Sequence, residues 1–314
     1  MHNDVSLRVQ TKVCQQRAGG RSRLRSGQGG RGLSVKRERN EVVERRCFLN
    51  QRTYIPRSSR LIHVIFLIAC LFTGDPCPAT TIVILYRPTS IVVAADTLGV
   101  LHGQIAGRQE FHHCKIKSSG SFFFTSTGYN ADEAVGFDAA KTTTGILQSP
   151  LEAFSQKVDK ISREIPAKLL AGIQFQRRSL SSEEYTQSIR ITRDVLTIAV
   201  FGVEHQATKM ALIAFGEADD SKGNPIAVNP RITYCPGQAC GSGGFFLGYN
   251  QAALRQTEDR AHPFWTGNDA KDARRIVEIE IADVPTDVGG PVDVLLINAE
   301  GSHRWVPPYG ECRP

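Results

Sequence analysis

Ala79-Thr80-Thr81-Ile82-Val83-Ile84-Leu85-Tyr86-Arg87-Pro88-Thr89-Ser90-Ile91-Val92-Val93-Ala94-Ala95-Asp96 is the stretch from which the fold is read. Thr80–Arg87 and Ser90–Thr97 are rich in Ile, Val and Thr, side chains that suit a pleated backbone. Arg87-Pro88-Thr89 separates them as a turn, so the pair is expected to be an antiparallel hairpin. Asp96 closes the second arm sixteen residues after Thr80. Ala79 is a small residue, and a cut after it would leave Thr80 at a new N-terminus. A terminal Thr holds a nucleophile and a base in one residue: its hydroxyl can attack a carbonyl while its own α-amine takes the proton. An internal Thr cannot do this, because an amide nitrogen is not basic.

Upstream of the hairpin the composition changes. Residues 1–60 hold fifteen Lys/Arg and four Asp/Glu, a balance of +11; the whole chain is +7, so residues 61–314 sum to −4. The basic pI belongs to the head. Rich in Arg, Gly, Ser and Gln, this head cannot bury enough apolar surface to offset its ordering entropy, and is expected to be disordered. Basic runs of this kind can bind nucleic acid; the head otherwise reads as a solvated leader or as a gene start placed too far upstream, and no nucleic acid is expected for the mature domain. Residues 61–72, LIHVIFLIACLF, are too few for a spanning helix, so no stable membrane span is expected. They suit the core of an export signal over 61–79, with Cys77-Pro78-Ala79 as a cleavage site, placing the product in a secreted or periplasmic compartment. Two other readings stay open. Leu67-Ile68-Ala69-Cys70 resembles a lipoprotein box, which would anchor the chain at Cys70 and leave Thr80 internal. The run could also be a buried element of the domain.

Residues 80–314 are long enough for one sizeable domain. Cys114–Lys117 and Ser121–Thr127 read as a second strand pair, ended by Gly128-Tyr129-Asn130. A helix is expected from near Asn130, and another from Ser149-Pro150 with apolar spacing through Phe154, Val158, Ile161 and Ile165. Residues 175–192 read as a loop. Strands follow at Val195–Val203, Ala207–Phe215 and Arg231–Cys235. Helices follow at Gln251–Arg260 and Ala270–Ile281, then a last hairpin at Val292–Asn298 and His303–Val306. Two sheets with helices in two batches predict a mixed α/β (α+β) chain: two packed, mainly antiparallel sheets flanked by helices in a four-layer αββα sandwich. Cys235 and Cys240 could close a small disulfide loop in an oxidising compartment. His112-His113-Cys114 invites a metal reading, but neighbours on a strand point to opposite faces, so no metal is assigned. No nucleotide-binding glycine loop is seen, and no cofactor is expected.

Thr80-Thr81-Ile82-Val83 through Ala94-Ala95-Asp96 resembles the opening of a proteasome β-subunit, one of the N-terminal nucleophile (Ntn) hydrolases. That family opens on Thr-Thr, carries Asp sixteen residues after the first Thr, and then a Lys that Lys115-Ile116 matches with about three extra residues between. Phe122–Thr127 followed by Gly128 is similar to the family's strand and oxyanion-hole glycine. Ala239-Cys240-Gly241-Ser242-Gly243 is similar to its Gly-Ser-Gly segment. The resemblance covers roughly residues 80–306. This chain departs from the family in Ala79, where a Gly is usual, and in Pro285 and Val288, where a supporting Asp and Ser are usual.

The resemblance implies the Ntn sandwich and a threonine-nucleophile hydrolase of peptides or small amides, activated by exposure of Thr80. Its site would comprise Thr80, Asp96, Lys115, Gly128 and Ser242. It also leaves room for a homo-oligomer. A free α-amine has an ordinary pKa of roughly 7.7–8.0 and is already a usable base near neutrality. A nearby Lys115 cation would lower it further, and Asp96 would hold that cation in place. The other reading is a non-catalytic exported protein that keeps the fold as a binding or scaffold module; Pro285 and Val288 favour it.

Overall fold

In a computed structural model, β1 (Thr81–Arg87) and β2 (Ser90–Asp96) form the opening hairpin, with Ile82 opposite Ala95 and Arg87 opposite Ser90. The residues described are 80–103, 107–150, 152–189, 194–238, 240–258 and 264–312. The basic head, the apolar run with Cys70, and Ala79 lie outside them.

β3 (Leu98–Gly103) and β4 (Gly107–His112) form a small two-stranded sheet directly after Asp96. β5 (Lys117–Ser119) pairs with β6 (Phe122–Gly128). β7 (Ala131–Asp132) and β8 (Phe137–Asp138) make a short ladder. α1 (Ala139–Leu147), α2 (Phe154–Ser179) and α3 (Ser182–Ser188) follow. The long strands β9 (Asp194–Glu204), β10 (Ala207–Asp219) and β11 (Pro225–Cys235) come next, then β12 (Gly243–Gly248). α4 (Gln251–Thr257), α5 (Asp269–Asp283), β13 (Val292–Asn298) and β14 (His303–Trp305) complete the order. The chain is thus mixed α+β. One sheet runs β12-β1-β2-β13-β14 and the other β11-β10-β9-β6-β5, with antiparallel pairing throughout both.

β1 and β2 are apolar without alternation because both faces of their sheet are covered. Ile82, Ile84, Ile91 and Val93 point toward the other sheet and pack with Phe123, Ala199, Phe201 and Leu212. Val83, Leu85, Val92 and Ala94 point the other way, onto Ala253 and Leu254 of α4 and Ala273, Ile276 and Val277 of α5. The second sheet does the same. Its outer face, with Phe124, Ile198, Val200 and Ile213, packs under Ile146 and Leu147 of α1 and Val158, Ile161, Ile165 and Leu169 of α2. A strand buried on both faces reads as a continuous apolar run rather than as an alternating one.

Several local expectations are corrected. The first helix starts at Ala139, not near Asn130. Asp138 caps it through Lys141 N–H, and Asp132 instead caps a single 3-10 turn, Glu133–Val135. α2 begins at Phe154 rather than at Ser149-Pro150. It runs to Ser179, into the segment expected to be loop. α3 also lies in that segment, started by a reciprocal cap between Ser181 and Glu184. Polar surface on a helix backed by a single buried side, here Tyr185, resembles loop composition. Among the described residues, no helix is long and apolar enough to cross a membrane.

Candidate active site at Thr80

Thr80 stands at the entry to β1, where antiparallel pairing with β12 places Thr81 opposite Gly248. Tyr249, just past that strand, grips the entry from both sides. Its N–H donates to the Thr80 carbonyl at 3.0 Å, and its carbonyl accepts from Thr81 Oγ1 at 2.9 Å. Gly248 has φ +78°, and a Cβ there would collide with the Thr80 carbonyl oxygen, so the close approach requires glycine.

Asp96 reaches the same end because β2 runs back antiparallel to β1. Its carboxylate accepts Thr81 N–H at Oδ1 (2.7 Å), and Lys115 Nζ at Oδ2 (2.8 Å). Gly289 N–H also points to Oδ2, at 3.4 Å. The same Gly289 accepts at its carbonyl from Thr97 and Leu98 N–H, at 3.2 and 3.0 Å, which locks the loop against the end of β2. Lys115 Nζ then donates to Thr80 Oγ1 at 3.2 Å. The lysine is therefore the bridge between the buried carboxylate and the candidate nucleophile.

Desolvation governs this pair. The Lys115 side chain is 5% exposed and that of Asp96 is 0% exposed. Burial pushes Lys115 below the ordinary lysine range, against the pull of the Asp96 carboxylate. Burial likewise pushes Asp96 up, opposed by Lys115 and by the N–H groups of Thr81 and Gly289. A lysine whose charge is less favoured than in water can give up or share a proton more readily than an exposed one.

Gly128 ends β6 with φ +98°, a conformation that glycine adopts without strain. Its neighbour Thr127 has its Oγ1 3.4 Å from where a Cβ on Gly248 would sit, so the end of β6 lies against the end of β12 that holds Thr80. Lys115 thus contacts both Thr80 and Asp96, and Gly128 is brought to the same end of the fold.

Ser242 is not, and this corrects its assignment to the site. It is exposed and precedes Gly243, which pairs with Tyr86 at the far end of β1. Five steps of strand separate Tyr86 from Thr81, about 17 Å at the usual rise. Ser242 instead lines a small cleft with Arg87, Trp265 and Asp269. The backbone that faces Thr80 is Gly248-Tyr249, and a glycine between a strand and Gln251 of the following helix was its only sequence signal. Asp283 pairs with Arg255 at 3.5 Å on the surface. Val288 is fully buried, while Gly289 next to it contributes its backbone to Asp96.

Comparison with family models and with curated proteins found no match to this chain.

Proposed function

We propose that this chain is a threonine-nucleophile amide hydrolase of the Ntn type, with the layers around its two sheets being the αββα sandwich of that class. The observation that carries the reading is Lys115 Nζ, held by Asp96 Oδ2 at 2.8 Å and donating to Thr80 Oγ1 at 3.2 Å. A cut after Ala79 converts the Thr80 nitrogen from amide to amine. That amine takes the Oγ1 proton as the oxygen adds to a substrate carbonyl. The proton then passes to the departing amine of the substrate, leaving an ester on Thr80, and water cleaves the ester to return the free hydroxyl. Lys115 supplies positive charge beside the reacting oxygen, and the Gly128 N–H is the candidate donor to the oxyanion, a contact typically worth 10²–10³ in rate. Peptides and small amides are the proposed substrate class.

Export before cleavage is part of the same proposal. Two disulfides, Cys114–Cys312 and Cys235–Cys240, support an oxidising compartment. A second reading, a binding module that has kept the fold, draws on Val288, whose buried side chain offers no hydrogen bond where the family carries a polar one. The test separates the two. The full chain is expressed with export, and its N-terminus is determined by intact mass. The product is then exposed to an electrophile selective for terminal Thr and to fluorogenic peptides and amides. A product beginning at Thr80 that is trapped on Thr80, with loss of turnover in Thr80→Ala and partial retention in Thr80→Ser, supports hydrolysis. A product beginning at Cys70 with a lipid mass, or one beginning at Thr80 that neither reacts nor turns over, overturns it.

A further inference from the structure

Lys115 has no strand of its own. Residues 113–116 lie between β4 and β5, outside any ladder, so the backbone that carries the lysine is not placed by sheet pairing. His113 N–H donates to the Thr97 carbonyl at 3.0 Å and Ile116 is buried in the inter-sheet core, which fixes the segment on either side of Cys114 and Lys115. Next to the lysine, Cys114 is bonded to Cys312, 198 residues later, with the two Cα atoms 4.7 Å apart.

The far end of that disulfide is anchored in turn. Asp293 is 1% exposed, and its carboxylate accepts three consecutive backbone N–H groups: Gly310 at 2.7 Å, Glu311 at 3.0 Å and Cys312 at 3.0 Å. The Cys114 and Cys312 sulfurs and a carboxylate oxygen of Asp293 all lie within 4.8 Å of one another. A Cβ on Gly310 would sit 2.7 Å from Asp293 Oδ1, so only glycine lets the segment close on the acid. Asp293 belongs to β13, where it pairs with Ala95, the residue before Asp96.

We infer that the Cys114–Cys312 disulfide, seated on Asp293, is a positioning element for Lys115. Beside the His113–Thr97 backbone bond, two routes then tie the lysine itself to Asp96. One is the direct ion pair. The other runs from Cys114 through the disulfide to Cys312, through its N–H to Asp293, and across β13 to β2. The first route sets charge and the second sets place. Three backbone donors on one buried carboxylate form a rigid seat, because a buried acid that lost them would be left poorly satisfied. A simple staple for the C-terminal segment would contribute stability alone; a positioning element also governs how Lys115 meets Thr80 Oγ1. The inference rests on the proposed role of Lys115, and its test has an arm that does not depend on catalysis.

The full chain, expressed with export, is compared with Cys114→Ala/Cys312→Ala and with Cys235→Ala/Cys240→Ala, which removes the other disulfide. Non-reducing peptide mapping first establishes the Cys114–Cys312 link in the wild type; free thiols or another pairing would overturn the inference. The first readout is the acetylation rate of Lys115 under native conditions, followed by mass spectrometry. The second is trapping of Thr80 by the electrophile, resolved into a maximal rate and a half-saturating concentration, across pH. Loss of Cys114–Cys312 is expected to raise Lys115 labelling and lower the maximal trapping rate by roughly tenfold to a hundredfold, as for ångström-scale misplacement. The half-saturating concentration should hold, the acid limb of the pH profile should move, and the Cys235/Cys240 control should match wild type. A folded variant by near-UV circular dichroism with labelling and trapping within about twofold of wild type would overturn the inference. If the double variant does not fold, Asp293→Asn is judged by the same criteria. If wild type itself fails to trap, the hydrolase reading falls, and Lys115 labelling alone still decides the positioning role.

Discussion

Lys115 donates to Asp96 at 2.8 Å with both side chains almost entirely out of water. Such a pair is asymmetric under mutation. Asp96→Ala strands an ammonium in the interior and also orphans Thr81 N–H, with an expected stability loss of about 3–5 kcal/mol. Lys115→Met leaves a carboxylate that still has Thr81 and Gly289 N–H groups, and so should cost less. Denaturant unfolding checks the order. Turnover, where it is present in wild type, should fall by at least about 10² in both.

Gly248 and Gly136 separate backbone strain from steric collision. Both have positive φ, +78° and +64°. A Cβ at Gly136 meets nothing within 4 Å, so Gly136→Ala should cost only the left-handed conformation, about 1–2 kcal/mol. Gly248→Ala carries the same strain and also drives a methyl into the Thr80 carbonyl. Its melting temperature should fall further, and Thr80 trapping should drop with it, since the entry to β1 must move.

Ser242→Ala should leave both stability and Thr80 reactivity within about twofold of wild type, as for an exposed residue far from the chemistry. Thr81→Val, in contrast, removes the hydroxyl bond to the Tyr249 carbonyl and should cost about 1 kcal/mol. Side-by-side thermal melts and trapping rates measure both. A large loss in Ser242→Ala would reopen its place in the site.

His113 gives a pH dependence with a definite sign. Burial pushes its pKa down to about 4, with smaller contributions from the cations of Lys115 and Lys117 and from His112. Above the ordinary value near 6.5 the ring is neutral in both the folded and the unfolded chain, and it adds no pH dependence. As pH falls from there toward about 4, only the unfolded chain takes the proton, so stability is lost across that window. Below about 4 both states are protonated and this contribution levels off. His113→Phe should flatten the acid side of the stability curve between those limits. NMR titration of the ring should report the low pKa directly.

How much of this was legible in the sequence depends on the range of the interactions involved. The β1–β2 hairpin was legible because Pro88 marks the turn and branched side chains fill both arms, all within eighteen residues. The fragmented start of the first helix was not. Asn130, Asp132 and Asp138 are all acceptable caps, and the β7–β8 ladder that decides among them depends on contacts made after folding. α3 was hidden because seven polar-rich residues with one buried aromatic look like loop until Tyr185 finds the core.

The sequence by itself determined the residue types of the site and their spacing along the chain: Thr80 at the head of a strand, Asp96 at the end of its hairpin partner, Lys115 and Gly128 beyond. Antiparallel pairing makes that spacing meaningful, because a hairpin returns its end to its beginning. Only the tertiary structure decided which distant segments complete the site. Register between β1 and β12 puts Gly248-Tyr249 at Thr80 and sends Ser242 to the opposite end of the strand. Pairing of β13 with β2 brings Gly289 to Asp96 and Asp293 to the seat of Cys312. The β1–β12 and β2–β13 pairings and the Gly289–Asp96 contact join residues 150 or more positions apart. Local propensity carries no information about them; they follow from which apolar faces must be buried together.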